Sequence, residues 1–182
     1  MGHLVLVTGA ARSGKSEFAE WLAIQHKGIV TYIATARSNS QDPDWQARIE
    51  RHRQRRPQSW QLEEVPLQLS ASLERWSGPE RCVLLDSLGT WVANGLEETE
   101  EDWGDRRDRW LQSARNFSGT CIVVAEETGW GVVPAYASGR LFRDRLGEVT
   151  RRLGAIADET YLIVAGRVLN LSQIAAPLPD IL

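Results

Sequence analysis

The chain is poor in everything that would carry it out of a reducing, aqueous compartment. It has two cysteines, Cys82 and Cys121, each inside an apolar run (Cys82-Val83-Leu84-Leu85 and Cys121-Ile122-Val123-Val124). That placement predicts buried free thiols rather than a disulfide or a metal site. No apolar run approaches the ~20 residues of a membrane span. No signal peptide is expected ahead of a first strand that starts at His3, so a cytoplasmic location is expected. Positive charge is not in excess: 21 Lys and Arg stand against 24 Asp and Glu, a net charge of −3. A nucleic-acid partner therefore has no global basic field to bind. Internal repeats and low-complexity linkers are missing too, and 182 residues predict one domain spanning 1–182. The eight tryptophans are scattered, and most read as half-buried helix or loop contacts.

What is present is an alternation. Strand-like runs fall at residues 3–8, 29–35, 81–86, 120–125 and 159–164. Several are continuous apolar stretches, the pattern of parallel strands buried on both faces. Helical spacing falls between them, at 16–26, 44–55, 67–76, 88–94, 102–116 and 138–157. In the first of these, Phe18, Trp21 and Leu22 are expected on one side. The order argues an α/β fold with a mostly parallel sheet and helices on both faces. Residues 165–171 read as a turn into a last edge strand, and the acidic stretch 97–102 as a solvated loop and helix start.

Between the first strand and first helix lies Gly9-Ala10-Ala11-Arg12-Ser13-Gly14-Lys15-Ser16. This is G-x-x-x-x-G-K-S, the phosphate-binding P-loop, in the strand–loop–helix order that it requires. The glycines let the backbone turn tightly, and its N–H groups face phosphate oxygens at the positive end of the helix. Lys15 would reach the β- and γ-phosphates and Ser16 would ligate Mg²⁺. The second half of the nucleotide site is expected at Asp86, a carboxylate that ends an apolar strand and would help hold Mg²⁺. Asp86 could instead be a helix cap, a role open to Ser87 as well. The strand ending Tyr32-Ile33-Ala34-Thr35-Ala36-Arg37 opens onto the same carboxyl edge, where ligands bind in open α/β sheets.

A basic segment, Arg48-Ile49-Glu50-Arg51-His52-Arg53-Gln54-Arg55-Arg56-Pro57, is the other unusual feature. On a helix Arg48, His52, Arg55 and Arg56 share a face. It is either a solvated basic surface or a covalent site. A neutral imidazole is a competent nucleophile toward phosphorus, and the arginines would bind phosphate and keep it unprotonated. His3, at a strand start, and His26, at a helix end, are weaker candidates.

These residues resemble one family across nearly the whole chain. The loop is similar to G-G-A-R-S-G-K-S. Residues 32–36 resemble its second-strand signature, and residues 48–57 its R-I-x-x-H-[RK]-x-x-R-P motif. Residues 126–134 resemble E-x-G-x-G-[IV]-V-P, with Arg140, Phe142, Arg143, Asp144 and Gly147 following in register. The family is adenosylcobinamide kinase / adenosylcobinamide-phosphate guanylyltransferase, bifunctional in cobalamin assembly. The resemblance implies a RecA-like P-loop NTPase fold and a homotrimer. It implies two reactions on a corrinoid: phosphorylation of adenosylcobinamide by a nucleoside triphosphate such as ATP, then transfer of GMP from GTP through a guanylyl-histidine. His52 matches the nucleophile. The nucleotide contacts carried over are Gly9, Ala10, Ala11, Arg12, Ser13, Gly14, Lys15, Ser16, Thr35, Ala36, Arg37, Arg53, Gln54, Arg55, Arg56, Glu64 and Asp86. Glu64 matches the carboxylate of a W-x-x-x-E motif and suits the guanine edge or a ribose hydroxyl. Ala10 departs from the usual Gly, and Thr150 stands where many members have Asn. Two other readings are a P-loop kinase for another small molecule without covalent GMP, and a nucleotide-dependent switch module.

Overall fold

The computed structural model describes residues 2–36 and 55–179. Seven strands build one sheet there: β1 (His3–Gly9), β2 (Ile29–Ala34), β3 (Gln61–Glu64), β4 (Arg81–Asp86), β5 (Thr120–Glu126), β6 (Glu159–Val164) and β7 (Arg167–Asn170). Their order across the sheet is β3-β2-β4-β5-β1-β6-β7. Each neighbouring pair is parallel except the hairpin β6–β7. The predicted strands are found with their ends within one residue. β3 was not expected; four residues of which two are glutamates and one a glutamine carry little apolar signal.

Alternation along the strands divides the core in two. Leu4 and Leu6 of β1, Val83 and Leu85 of β4, and Cys121 and Val123 of β5 face one side. Over them lie α2 (Leu69–Trp76), α3 (Leu88–Asn94), α4 (Glu100–Asn116) and α5 (Ala137–Gly154). Val5, Val7, Cys82, Leu84, Ile122 and Val124 face the other side, against α1 (Lys15–Ile24). A short α6 (Leu171–Ile174) follows β7. Helices therefore cover both faces, as the alternation predicts. None of the described helices is long and apolar enough to cross a membrane.

Two expectations are corrected. Trp91, Trp103 and Trp110 are fully buried, not half-buried. Trp91 packs against both others at tilted angles, with centroids 5.4 Å apart in each pair, and the Arg106 guanidinium lies 4.2 Å over Trp91. A cation–aromatic contact of this kind offsets part of the cost of burying Arg106. On α1, Ala19 and Ala23 face the sheet, while Trp21 is 53% exposed. Small residues let the helix approach closely, and Trp21 instead stacks on Phe18 at the surface. The thiols are as expected: Cys82 and Cys121 are free and buried, and burial pushes both well above their usual range.

Arg145 ties the helical layer together. It is buried and donates to the carbonyls of Gly95 and Glu98, each at 3.0 Å, and to Glu100 at 2.7 Å. These carbonyls end α3 and precede α4, where helical partners run out. Ser87 and Thr99 cap α3 and α4 at their N-termini.

Candidate nucleotide site

The site begins where β1 runs out. Gly9 has β6 packed against it: a Cβ there would meet the Ile163 carbonyl oxygen at 2.5 Å and Ser13 Oγ at 2.7 Å. Only glycine fits. Gly14, just before α1, has φ +96°, in the left-handed region that favours glycine. The loop is closed by Ser13 N–H to the Ala10 carbonyl at 3.2 Å, and Phe18 N–H reaches Gly14 at 3.0 Å. Arg12 adopts φ +58°, a conformation that costs a side-chain-bearing residue about 1–2 kcal/mol. Ala10 is not among the positive-φ residues, so its Cβ is tolerated without strain.

Lys15 is held over this loop. It is 9% exposed, and its Nζ donates to the Ala10 carbonyl at 3.3 Å. Ser16 stands in the first turn of α1. Two buried hydroxyls beside Gly9, Thr8 Oγ1 and Ser13 Oγ, have no protein hydrogen-bond partner. Buried polar groups are rarely left so unless a ligand or water completes them.

Asp86 ends β4, two strands from β1, in register with Ala34 of β2 and Val124 of β5. Its Oδ2 accepts from the Tyr32 hydroxyl at 3.2 Å. Ser87, not Asp86, caps α3, its Oγ accepting from Thr90 N–H. The carboxylate is thus left for the edge of the sheet. The Asp86 side chain also keeps the Tyr32 hydroxyl protonated: burial first, then that carboxylate, raise its pKa well above the usual value.

Thr35 is fully buried. Its hydroxyl donates to the Ser87 carbonyl at 2.8 Å and accepts from Ser87 N–H at 3.0 Å. Its carbonyl accepts from Asn94 at 2.7 Å. The side chain holds the β2 and β4 ends together, and Ala36 beside it is half-buried. Arg37, His52, Arg53 and Gln54 lie outside the described residues.

Arg55 and Arg56 are described, and both are engaged. Arg55 meets Glu17 at 2.5 Å and Glu20 at 3.3 Å, both on α1. Arg56 sets its guanidinium 3.7 Å over the Tyr32 ring. Glu20 is a residue that sequence reasoning missed. It is 5% exposed, and burial pushes its carboxyl up to about 7, against the pull of Arg55 and with the help of Asp86. A signal existed: Lys15, Ala19, Glu20 and Ala23 form the buried stripe of α1, and a carboxylate in such a stripe needs a reason.

Glu64 ends β3 in register with Ala34. It is exposed, beside a groove that also takes in Val65, Pro66, Leu67 and Gln68. Four strand spacings separate β3 from β1, about 19 Å at the usual ~4.8 Å per strand. The preceding Glu63 has a separate task, accepting from Ser72 at 2.7 Å, Arg75 at 2.5 Å and the Trp76 indole.

Glu126, which opens the motif stretch 126–134, was given no role from the sequence. It faces Gly9 across the β1–β5 pairing, accepts from the Ser87 hydroxyl, and accepts from Gly89 N–H at 2.9 Å. On its other side a cavity of about 610 Å³ opens, bordered by Thr8, Glu127, Arg143, Asp144 and Thr150. Thr150 contributes a buried hydroxyl without a partner. Arg140 and Arg143 tie the 127–136 loop to α5 by donating to the carbonyls of Ala135 at 2.7 Å and Gly129 at 2.6 Å.

Residues 5–171 match the family described as cobinamide kinase / cobinamide phosphate guanyltransferase. The chain is 36% identical over 162 residues to the bifunctional adenosylcobalamin biosynthesis protein CobP of Pseudomonas aeruginosa, covering 88% of this chain and 92% of that protein. It is 35% identical over 177 residues to the bifunctional adenosylcobalamin biosynthesis protein CobU of Salmonella typhimurium, covering 90% and 96%. Among solved structures, a protein of Pyrococcus horikoshii OT3 superposes with a TM-score of 0.58 at 8% identity, over 100% of this chain and 94% of that one. An ATPase from the type III secretion system of pathogenic bacteria does so with a TM-score of 0.56 at 10% identity, over 96% and 53%. At such identities the likeness is of fold: a P-loop, RecA-like α/β domain.

Proposed function

The chain belongs to the cobinamide kinase / cobinamide phosphate guanyltransferase family, and from that premise we propose that it makes two consecutive transfers onto a corrinoid. In the first, the aminopropanol hydroxyl of adenosylcobinamide attacks the γ-phosphorus of a nucleoside triphosphate such as ATP. The β–γ bridging bond breaks and the diphosphate leaves. In the second, a neutral ring nitrogen of His52 attacks the α-phosphorus of GTP, and pyrophosphate departs. An oxygen of adenosylcobinamide phosphate then attacks the same phosphorus. The P–N bond breaks, the histidine is freed, and adenosylcobinamide-GDP forms.

The observation that carries this reading is a convergence. The phosphate loop, Asp86 and the docked pair Arg55–Arg56 meet around α1 and the ends of β1, β2 and β4. Lys15 and the loop N–H groups offset charge on the departing pyrophosphate. The arginines do the same for the transferring phosphoryl. Ser16 and Asp86 would hold Mg²⁺. Their oxygens suit a hard cation, and no group of three or more His, Cys, Asp or Glu occurs among the described residues. Phosphates and water complete such a shell. When bound, the ion neutralises phosphate charge.

With the triphosphate toward β1, the guanine extends toward β3. Glu64 is the carboxylate at that end, a match for the N1–H and amino edge of guanine. Exposed Trp130, Val132, Val133 and Tyr136 before α5, with Val168 and Leu169 on the β6–β7 hairpin, leave more apolar surface than a solvated monomer favours. They support self-association as a homotrimer, measurable by sedimentation. The free thiols support a cytoplasmic setting.

Intact-mass spectrometry after incubation with GTP and Mg²⁺ tests the second reaction. One GMP added to the wild-type chain and none to His52→Ala is the expected result. An adduct that survives His52→Ala, or none on the wild type, overturns it.

A further inference from the structure

We propose that Glu20 is a positioning residue for guanylyl transfer: it holds Arg55 against the phosphate-binding helix and so anchors the end of the segment that carries His52. The inference rests on the guanylyl-histidine reading and extends it to a side chain that touches no nucleotide.

Glu20 lies on α1, five residues after Lys15, and is 5% exposed. Its Oε2 is 3.3 Å from Arg55 Nε, while its Oε1 is buried without a hydrogen-bond partner. A carboxylate in that position is expensive unless a cation compensates it. The groups facing it are Arg55, Arg56, Asp86 and Glu17, and burial raises its pKa to about 7 despite the arginines. Arg55 also bonds Glu17 at 2.5 Å, one turn earlier on the same helix. Arg56 continues the attachment, packing 3.7 Å over Tyr32, whose hydroxyl reaches Asp86. Two consecutive arginines are therefore seated on α1 and β2, within the element set that binds phosphate. His52 precedes Arg55 by three residues. Fixing Arg55 restricts where the nucleophile can lie relative to Lys15, and in-line attack is sensitive to displacements of an ångström.

The alternative is an ion pair that serves stability only. The two differ in what moves when the charge is removed. Glu20→Gln keeps the shape and loses the charge; Arg55→Ala removes the compensating cation from a partly exposed position and leaves buried Glu20 to take up a proton, a cost that the thermal midpoint reads. Both are compared with the wild type, and with the double variant, by three measurements: single-turnover formation of the GMP adduct at saturating GTP, GTP affinity, and thermal midpoint.

The expected result is a fall of about ten- to a hundredfold in the adduct rate for Glu20→Gln, with its GTP affinity within about threefold of wild type. Arg55→Ala should lose a similar factor, and the double variant should lose little more than either single, because the two act as one unit. An unchanged adduct rate in Glu20→Gln overturns the proposal, as does a loss that follows the thermal midpoint or GTP affinity. If Glu20→Gln does not fold, an unchanged adduct rate in Arg55→Ala overturns it alone. No adduct on the wild-type chain overturns the guanylyl-histidine reading itself, and this inference with it.

Discussion

The phosphate loop and the docked end of the basic segment are built by opposite means. The loop is local: its closing bonds join residues 10 to 18, and Lys15 bonds a carbonyl five residues away. The arginine anchor is long-range: Arg55 reaches back to residues 17 and 20, and Arg56 to Tyr32. A phosphate cradle needs only a short piece of chain in one conformation. Bringing a nucleophile to that phosphate needs two distant segments held together. Binding and covalent transfer should therefore be separable by mutation, with loop changes removing both and anchor changes removing only transfer.

The largest effect should come from Lys15→Ala, which strikes the shared cradle. Loss of its charge should cost both reactions about 10²–10³-fold, and GTP affinity should fall with them. Asp86→Ala should cost the two transfers about a hundredfold and raise the Mg²⁺ concentration needed for half-maximal rate. A rate that Mg²⁺ does not affect in either protein would remove Asp86 from the metal. Glu64→Gln is aimed at the far end of the nucleotide. Losing one charged hydrogen bond should lower the GTP-over-ATP preference about tenfold and leave the phosphate end untouched. An equal loss for both nucleotides would reassign Glu64 to the ribose.

A smaller effect is predicted for the pH dependence of stability. Glu20 has a folded pKa of about 7, above its ordinary value of 4.5. The folded state then binds more protons between those values, so its stability falls as pH rises through that window. In Glu20→Gln that slope disappears, and the variant should gain in thermal midpoint over wild type as pH goes from 5 to about 8. A constant difference across the range would mean that Glu20 is ionised throughout. The smallest change should come from Ala10→Gly, which meets no positive φ and should alter GTP affinity less than about twofold.

The same contrast explains what was legible in the sequence. The loop, the strand ending in Asp86 and the alternation of apolar runs are local patterns, and the predicted strands and five of the six predicted helices were found within a few residues; the helix expected at 44–55 lies outside the described residues but for its last position. The buried tryptophan cluster was hidden, because Trp91, Trp103 and Trp110 come from two helices and their contact is set by packing, not by spacing. Thr35 was legible as a strand end at the ligand edge, but its bond to Ser87, 52 residues away, was not. Glu20 was missed, and the contacts of Glu126 were hidden, for the same reason. Each is explained by residues from other elements, Arg55 for one and Gly89 for the other. Ala10 was legible as a departure, but its harmlessness required knowing its φ.

The central claim is that the loop presents GTP for attack at the α-phosphorus and holds the leaving group, although a phosphate loop alone suggests attack at the γ-phosphorus. Incubating the chain with GTP labelled at either the α or the γ position, then denaturing it and counting protein-bound label, tests this directly. The account predicts label retained from α-labelled GTP, acid-labile as a phosphoramidate, absent from His52→Ala and chased by adenosylcobinamide phosphate. Retention from γ-labelled GTP instead, or from neither, would contradict it.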